Sequence, residues 1–421
     1  MNKPIVVLHL ETRNSGGAHD YTFNIHNNML SAGYHSYLAI YGSVILSPNG
    51  TEIAVAKKKI PVMERVRRKI HETFIKKMKP YVDPKYCAAN LTERITLFNV
   101  KDLLAVLPEK PDYIFVHWVS GYATAKYVSE LQRLTGAKVY YLMIDEAILS
   151  GACHYPWDCN GYQNGCRNCK ITDSCILKWF IRKNYIFKER YLVKDKNVIY
   201  PSTFDLIRLQ KSSLWKGAKT LKLLEAVDET LFCPADKVEP LFKKFNIPYG
   251  KRVIFFGCSD LKEERKGMTK LIEALNLLER SDIVLLTAGR DELPPLRHEA
   301  IVLGHLDMKT LAQAYQVADV YVCPSLEDSG PQMINMALMT GVPVVSFEVG
   351  EALDIVITGK TGYRAKFCDV EDLAHGLNYV LDLSMDEYHR MKKYCRKMAL
   401  EEFSFRSQMD FFKQLFEKDK R

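Results

Sequence analysis

A chain of 421 residues, 47% of them apolar, exceeds what a single hydrophobic core normally holds, so two domains of ordinary globular composition are expected. No apolar run approaches the roughly twenty residues that cross a bilayer, and the N-terminus leads directly into a strand, which excludes a helical membrane protein and points to a cytoplasmic chain. The formal charge of +9 is concentrated in one segment, and eleven cysteines in a reducing compartment argue for thiols or metal ligands over disulfides.

The first apolar run, Ile5 to Leu10, reads as a buried strand. A polar loop with Gly16 and Gly17 follows, then a helix to about Ala32 and a second strand at Tyr37 to Tyr41. A glycine pair between strand and helix lets backbone amides approach an anion, although an ordinary turn accounts for it equally well. Lys57 to Lys79 carries ten Lys and Arg residues against Glu64 and Glu72, with Val62, Val66, Ile70, Phe74 and Met78 at helical spacing. Such a helix suits an anionic membrane surface, each basic residue contributing about 1 kcal/mol. It equally suits a solvated helix packed on its domain. Nucleic acid is not expected as a partner, because no nucleic-acid-binding motif accompanies the charge.

Tyr113 to His117 and Lys138 to Ile144 read as further buried strands, which place His117 and Asp145 at strand ends, where ligands of α/β sheets bind. The next stretch, GACHYPWDCNGYQNGCRNCKITDSC, gathers Cys153, Cys159, Cys166, Cys169 and Cys175. Cys166 and Cys169 have the C-x-x-C spacing that chelates one ion, and Cys153 with Cys159 or Cys175 completes a tetrahedral thiolate set. A structural zinc is preferred over free thiols, a redox pair or an iron–sulfur cluster. In the second half, Val253 to Gly257, Ile283 to Ala288 and Ile301 to Gly304 read as strands, with helices from Met268, Lys309 and Asp369. Val320 to Cys323 is another, followed by the loop Glu327-Asp328-Ser329-Gly330, a helix opening at Pro331 and ending near Met339, and the strand Val344 to Phe347. Alternation of strand and helix along the chain predicts two doubly wound parallel sheets.

Pro324, Ser325, Gly341, Pro343, Val344 and Val345, together with Lys266-Gly267, Gly304 and Asp319, resemble the donor-site signature of retaining glycosyltransferase family 4. The resemblance implies a GT-B fold, two Rossmann-like domains facing a cleft. It implies a domain at 1–228 with a Cys-rich insertion at about 151–176, a nucleotide-sugar-binding domain at 229–402 and a helix at 403–421 returning to the first domain. The linker match rests on Val227, Asp228, Phe232 and Pro234, with Glu225 and Ala226 in place of Asn-Gly. The insertion itself looks like one found in a polysaccharide-synthesis subset of the family.

The implied activity is transfer of a hexosyl unit from a nucleotide sugar to a glycan acceptor, lipid-linked, in polysaccharide, capsule or O-antigen assembly at the inner face of the plasma membrane. No catalytic metal is expected. Lys266, with Arg265, would neutralise the diphosphate, and Asp328, Ser329, Gly330 and Pro331 would meet the sugar and phosphate. Gly16 and Gly17 match the family's glycine loop, and His117 and Asp145 are candidates near the reacting centre. Two positions depart from the pattern. Met336 stands where the family has its second acid, which holds ribose, and Cys258 stands where it has an arginine, for which Arg265 is a substitute. A second register pairs Glu327 with Asn335. These departures keep a weakened sugar-nucleotide-binding protein open, as well as a GT-B epimerase or phosphorylase.

Overall fold

The computed structural model describes residues 3–12, 17–46, 52–55, 62–88, 90–96 and 98–419. By contact density the chain divides into two compact units, 1–201 with 205–222, and 202–204 with 223–421.

Among the described residues the first unit has eight strands: β1 (Val6–Leu10), β2 (His35–Ile40), β3 (Ser43–Ile45), β4 (Glu52–Ala54), β5 (Tyr113–Val116), β6 (Lys138–Leu142), β7 (Asn197–Tyr200) and β8 (Lys219–Lys222). Their order is β4-β3-β2-β1-β5-β6-β7-β8. β1, β5 and β6 are apolar almost throughout because helices cover both faces of a parallel sheet, and β1 and β5 are buried along their whole length. One edge departs from the expected all-parallel sheet. β3 pairs antiparallel with β2 and with β4, since only two residues separate β2 from β3, too few for a crossover helix. β3, β4 and β8 are three or four residues long and were not anticipated, because such short segments carry little periodicity.

The second unit has six strands: β9 (Arg252–Asp260), β10 (Ile283–Arg290), β11 (Ala300–Val302), β12 (Val320–Cys323), β13 (Val344–Phe347) and β14 (Gly362–Ala365). All pair in parallel, in the order β11-β10-β9-β12-β13-β14. The sheet is sandwiched between two apolar clusters, one around Phe255, Tyr315 and Tyr321, the other around Ile254, Leu271 and Val322. Winding reverses at β9, whose neighbours β10 and β12 lie on opposite sides. In the first unit it reverses at β1, between β2 and β5. Open α/β sheets bind ligands beyond the carboxyl ends of the strands at these points.

The helix Phe405–Asp419 groups with the second unit. Its first residue donates to Glu229, and Arg396 binds the carbonyls of Phe232, Met339 and Glu229, which ties the start of the linker to the same unit.

Candidate functional site

At the switch point of the second sheet, β9 leads into a short 3-10 turn, Glu264–Lys266, that ends at Gly267. Gly267 has φ 73°, and a Cβ there would lie 1.8 Å from the carbonyl oxygen of Pro324. Only glycine lets this turn press against the end of β12. The amide of Leu326 donates to the Arg265 carbonyl at 2.7 Å and closes the junction. As a result Lys266 Nζ lies 2.6 Å from Asp328 Oδ2, with Arg265 Nη1 3.1 Å from the same oxygen. Burial alone would raise the Asp328 carboxyl, but the charges of Lys266 and Arg265 and the amide of Ser329 hold it below its ordinary value. Asp328 is therefore ionised at neutral pH. Arg265 is steadied by Glu263, and Cys258 donates to the Asp260 carbonyl.

The loop after Asp328 is held by a second close approach. Gly350, at φ 58°, places its missing Cβ 2.7 Å from the Ser329 carbonyl oxygen and 2.8 Å from that of Asp328. At Gly330 a Cβ would stand 3.0 Å from Glu351 Oε1 and 3.4 Å from Glu225 Oε1, which puts two carboxylates beside the loop. Glu351 also accepts from the Glu225 amide. The helix Gln332–Met339 begins one residue later than expected. Pro331 is its N-cap and offers no side-chain cap; its carbonyl accepts from the Ile334 amide at 2.7 Å, and the loop meets the positive end of the helix.

Met336 is buried in the apolar cluster with Leu224, Val227 and Phe232 and presents no polar atom to a ligand. Asn335 is buried beside it, and its amide donates to the Glu225 carbonyl at 2.7 Å.

The first unit has its own polar site. His117 follows β5 directly; its Nε2 lies 2.9 Å from His9 Nδ1, and its Nδ1 meets no partner among the described residues. Burial pushes His117 down to about 3, so the ring is neutral. Asp145, past the end of β6, caps the turn Glu146–Leu149 through the Ala147 amide. Its Oδ2 accepts from Trp118 Nε1 at 2.9 Å and lies 2.5 Å from His154 Nδ1. His154 Nε2 is 3.1 Å from Ser120 Oγ. Burial would raise Asp145, but His154, the Ala147 amide and Trp118 bring it below its ordinary value. His117, Asp145, Trp118, Ser120, Glu93 and Lys188 line one cavity of about 60 Å³. Gly17 begins the helix Gly17–Ser31, where a Cβ would meet nothing within 4 Å, so packing does not demand glycine there. Gly16 lies outside the described residues.

Cys153, Cys159, Cys166 and Cys169 line a separate cavity, whereas Cys175 is exposed at the start of the helix Cys175–Tyr191. With the side chains as they stand, no three His, Cys, Asp or Glu groups among the described residues are arranged to hold an ion.

Sequence reasoning missed Glu225, Glu351, Trp118, Ser120 and His154 as site residues. Of these, His154 was legible as the lone histidine among the cysteines, but nothing in its spacing points to Asp145.

Residues 237–398, which include the Lys266 turn and the Asp328 loop, match the family described as glycosyl transferases group 1. Residues 237–398 are thus similar to a glycosyl transferases group 1 domain. An uncharacterized glycosyltransferase of Methanocaldococcus jannaschii is 31% identical over 150 residues, covering 33% of this chain and 38% of that protein. A GDP-mannose-dependent alpha-mannosyltransferase of Mycolicibacterium smegmatis is 30% identical over 141 residues, 32% of this chain and 36% of that one. The chain thus spans well under half the length of these curated relatives. Among solved structures, sucrose-phosphate synthase from Thermosynechococcus elongatus superposes with a TM-score of 0.64 at 17% identity, covering 98% of this chain and all of that one. Anabaena HepE in complex with UDP-glucose gives 0.63 at 14% identity, again over 98% and 100%. The fold of the group 1 domain and its partner unit is therefore the GT-B type, two parallel-sheet α/β domains.

Proposed function

We propose that the protein is a retaining glycosyltransferase that moves a hexosyl unit from a nucleotide sugar to a lipid-linked glycan in polysaccharide, capsule or O-antigen assembly. The observation that carries this reading is the Lys266–Asp328–Arg265 cluster at the switch point of a group 1 domain. A departing nucleoside diphosphate gains negative charge, and two fixed cations beside a helix N-terminus stabilise that charge as it develops. The HepE complex, whose fold this chain shares, contains UDP-glucose, which supports a nucleotide-sugar donor.

Asp328, with Glu351 and Glu225 beside Gly330, offers acceptors for sugar hydroxyls. Because one Asp328 oxygen is engaged by two cations and the other by the Ser329 amide, its carboxylate is suited to holding hydroxyls and poorly suited to attacking carbon. Retention then proceeds at the front face. The C1–O bond to the β-phosphate breaks with its electron pair passing to the phosphate, the acceptor oxygen bonds C1 from the same side, and its proton goes to the departing phosphate oxygen. No metal is assigned a role in this step. In the first unit, the cavity bearing His117 and Asp145 is the part we assign to the acceptor end of the reaction.

Met336 removes the ribose-holding acid, and this favours the second reading, a sugar-nucleotide-binding protein with little turnover. Incubation with a panel of nucleotide sugars, followed by NMR of the anomeric proton, separates the two. Release of nucleoside diphosphate with a product of the donor's own anomeric configuration is expected. An inverted product contradicts retention, and binding without turnover of any donor establishes the second reading.

A further inference from the structure

The loop between the turn Glu146–Leu149 and the helix Cys175–Tyr191 contains one short 3-10 turn, Gly161–Asn164, as its only assigned helix, and no strand. Its Ala152, Tyr162, Cys166 and Ile171 are buried in the apolar cluster of the first unit, with Cys153, Cys159 and Cys169 packed against it, so the four thiols stand in an ordered, water-poor setting. All of its cysteines are free thiols. Four of them, Cys153, Cys159, Cys166 and Cys169, line one small cavity walled by Ser150, Tyr162, Ile171 and Ile181.

We propose that Cys153, Cys159, Cys166 and Cys169 bind a single structural zinc ion that fixes this loop to the first unit.

Backbone geometry supports this assignment. The Gly161 amide donates to Cys159 Sγ at 3.4 Å and the Gly151 amide to Cys166 Sγ at 3.4 Å. Amides aimed at sulfur disperse the negative charge that metal-bound thiolates carry, and such outer partners orient the ligands of a metal site. Lys178 acts on Cys169 from the outer recess that Arg167, Lys170 and Asp173 also line, Lys170 being paired with Asp158. Cys166 is held at φ 52°, a left-handed conformation a non-glycine residue keeps only when its surroundings over-determine it.

Size decides between one ion and a cluster. The cavity is about 20 Å³, on the scale of a single water-sized occupant, so four irons with their sulfides do not fit. As they stand the sulfurs are not arranged around a common point, so binding requires them to move to the zinc–sulfur distance of about 2.3 Å. Cys175 is left out, since it is exposed and heads the next helix.

The test uses the full chain, purified without added metal and with any affinity tag removed. Elemental analysis by plasma mass spectrometry, together with native mass, should find zinc equal to the chain concentration. Replacement by cobalt should give the thiolate-to-metal charge-transfer band and tetrahedral d–d bands. Cys159→Ser and Cys169→Ser should lose the metal, whereas Cys175→Ser should keep it. Zinc near background in the wild-type chain, iron in its place, a disulfide among the four, or retention of zinc in both ligand variants each overturn the proposal. Because the wild-type measurements need no variant to fold, they decide the question even if the serine variants aggregate.

Discussion

Gly267 shows how one residue shapes the candidate site of the second unit. Its sequence neighbourhood, Lys-Gly after a strand and before a helix, was legible, and so was the acid on the following loop. What spacing does not contain is the reason for the glycine, namely a Cβ position 1.8 Å from Pro324 O across the sheet. Gly267→Ala must force the Lys266 turn away from β12. A left-handed non-glycine residue alone costs about 1–3 kcal/mol, and the clash adds to it. Urea denaturation should show a loss of at least that size, and nucleotide-sugar binding should fall with it. Unchanged stability would show that the turn does not abut the strand. The carboxylates of Glu225 and Glu351 were illegible for a related reason, because they reach the loop from positions over a hundred residues apart. Met336, at the position where the resembled pattern has an acid, packs in the apolar core.

At the scale of the element, the basic helix Val62–Met78 divides along its length. Phe74, Ile75 and Met78 pack on the first unit, with Phe74 and His71 against Phe180, while Val62, Met63, Val66 and Ile70 remain exposed beside Lys69. Sequence periodicity gave the apolar stripe but could not say which part of it packs, since both halves have the same spacing. Exposed apolar side chains next to cations suit insertion into an anionic lipid surface. Lys57, Lys58 and Lys59 lie outside the described residues. We expect the protein to co-sediment with phosphatidylglycerol vesicles and not with neutral ones, weakly at high salt. Val66→Asp with Ile70→Asp should release it without loss of stability, as both side chains are exposed. Equal sedimentation of this variant would place lipid binding elsewhere or nowhere.

Across the molecule, the two sheets were legible because parallel strands buried on both faces read as continuous apolar runs. The antiparallel edge at β3 and β4 escaped, being formed by strands three residues long. The buried histidines of the first unit give the whole chain a pH signature that sequence alone does not show. Burial lowers His9, takes His26 down to about 4 and His117 to about 3, below the ordinary value near 6.5. Below that ordinary value the unfolded chain takes up protons that the folded one refuses. Stability is therefore complete above about pH 7 and declines as pH falls, by up to about 1.4 kcal/mol per pH unit for each histidine. Asp328 and Asp145, held below their ordinary values, add a further loss only below about pH 4. Urea midpoints that stay constant from pH 7 to pH 5 would contradict this assignment.

The proposed donor site rests most on the cations after β9, Arg265 and Lys266, holding a diphosphate. Calorimetric titration of the best nucleotide sugar into the wild-type chain and into Lys266→Ala tests it directly. Loss of one fixed charge from the diphosphate should weaken the dissociation constant by about ten-fold or more, equivalent to at least about 1.4 kcal/mol. An unchanged constant for Lys266→Ala would show that the donor is held elsewhere.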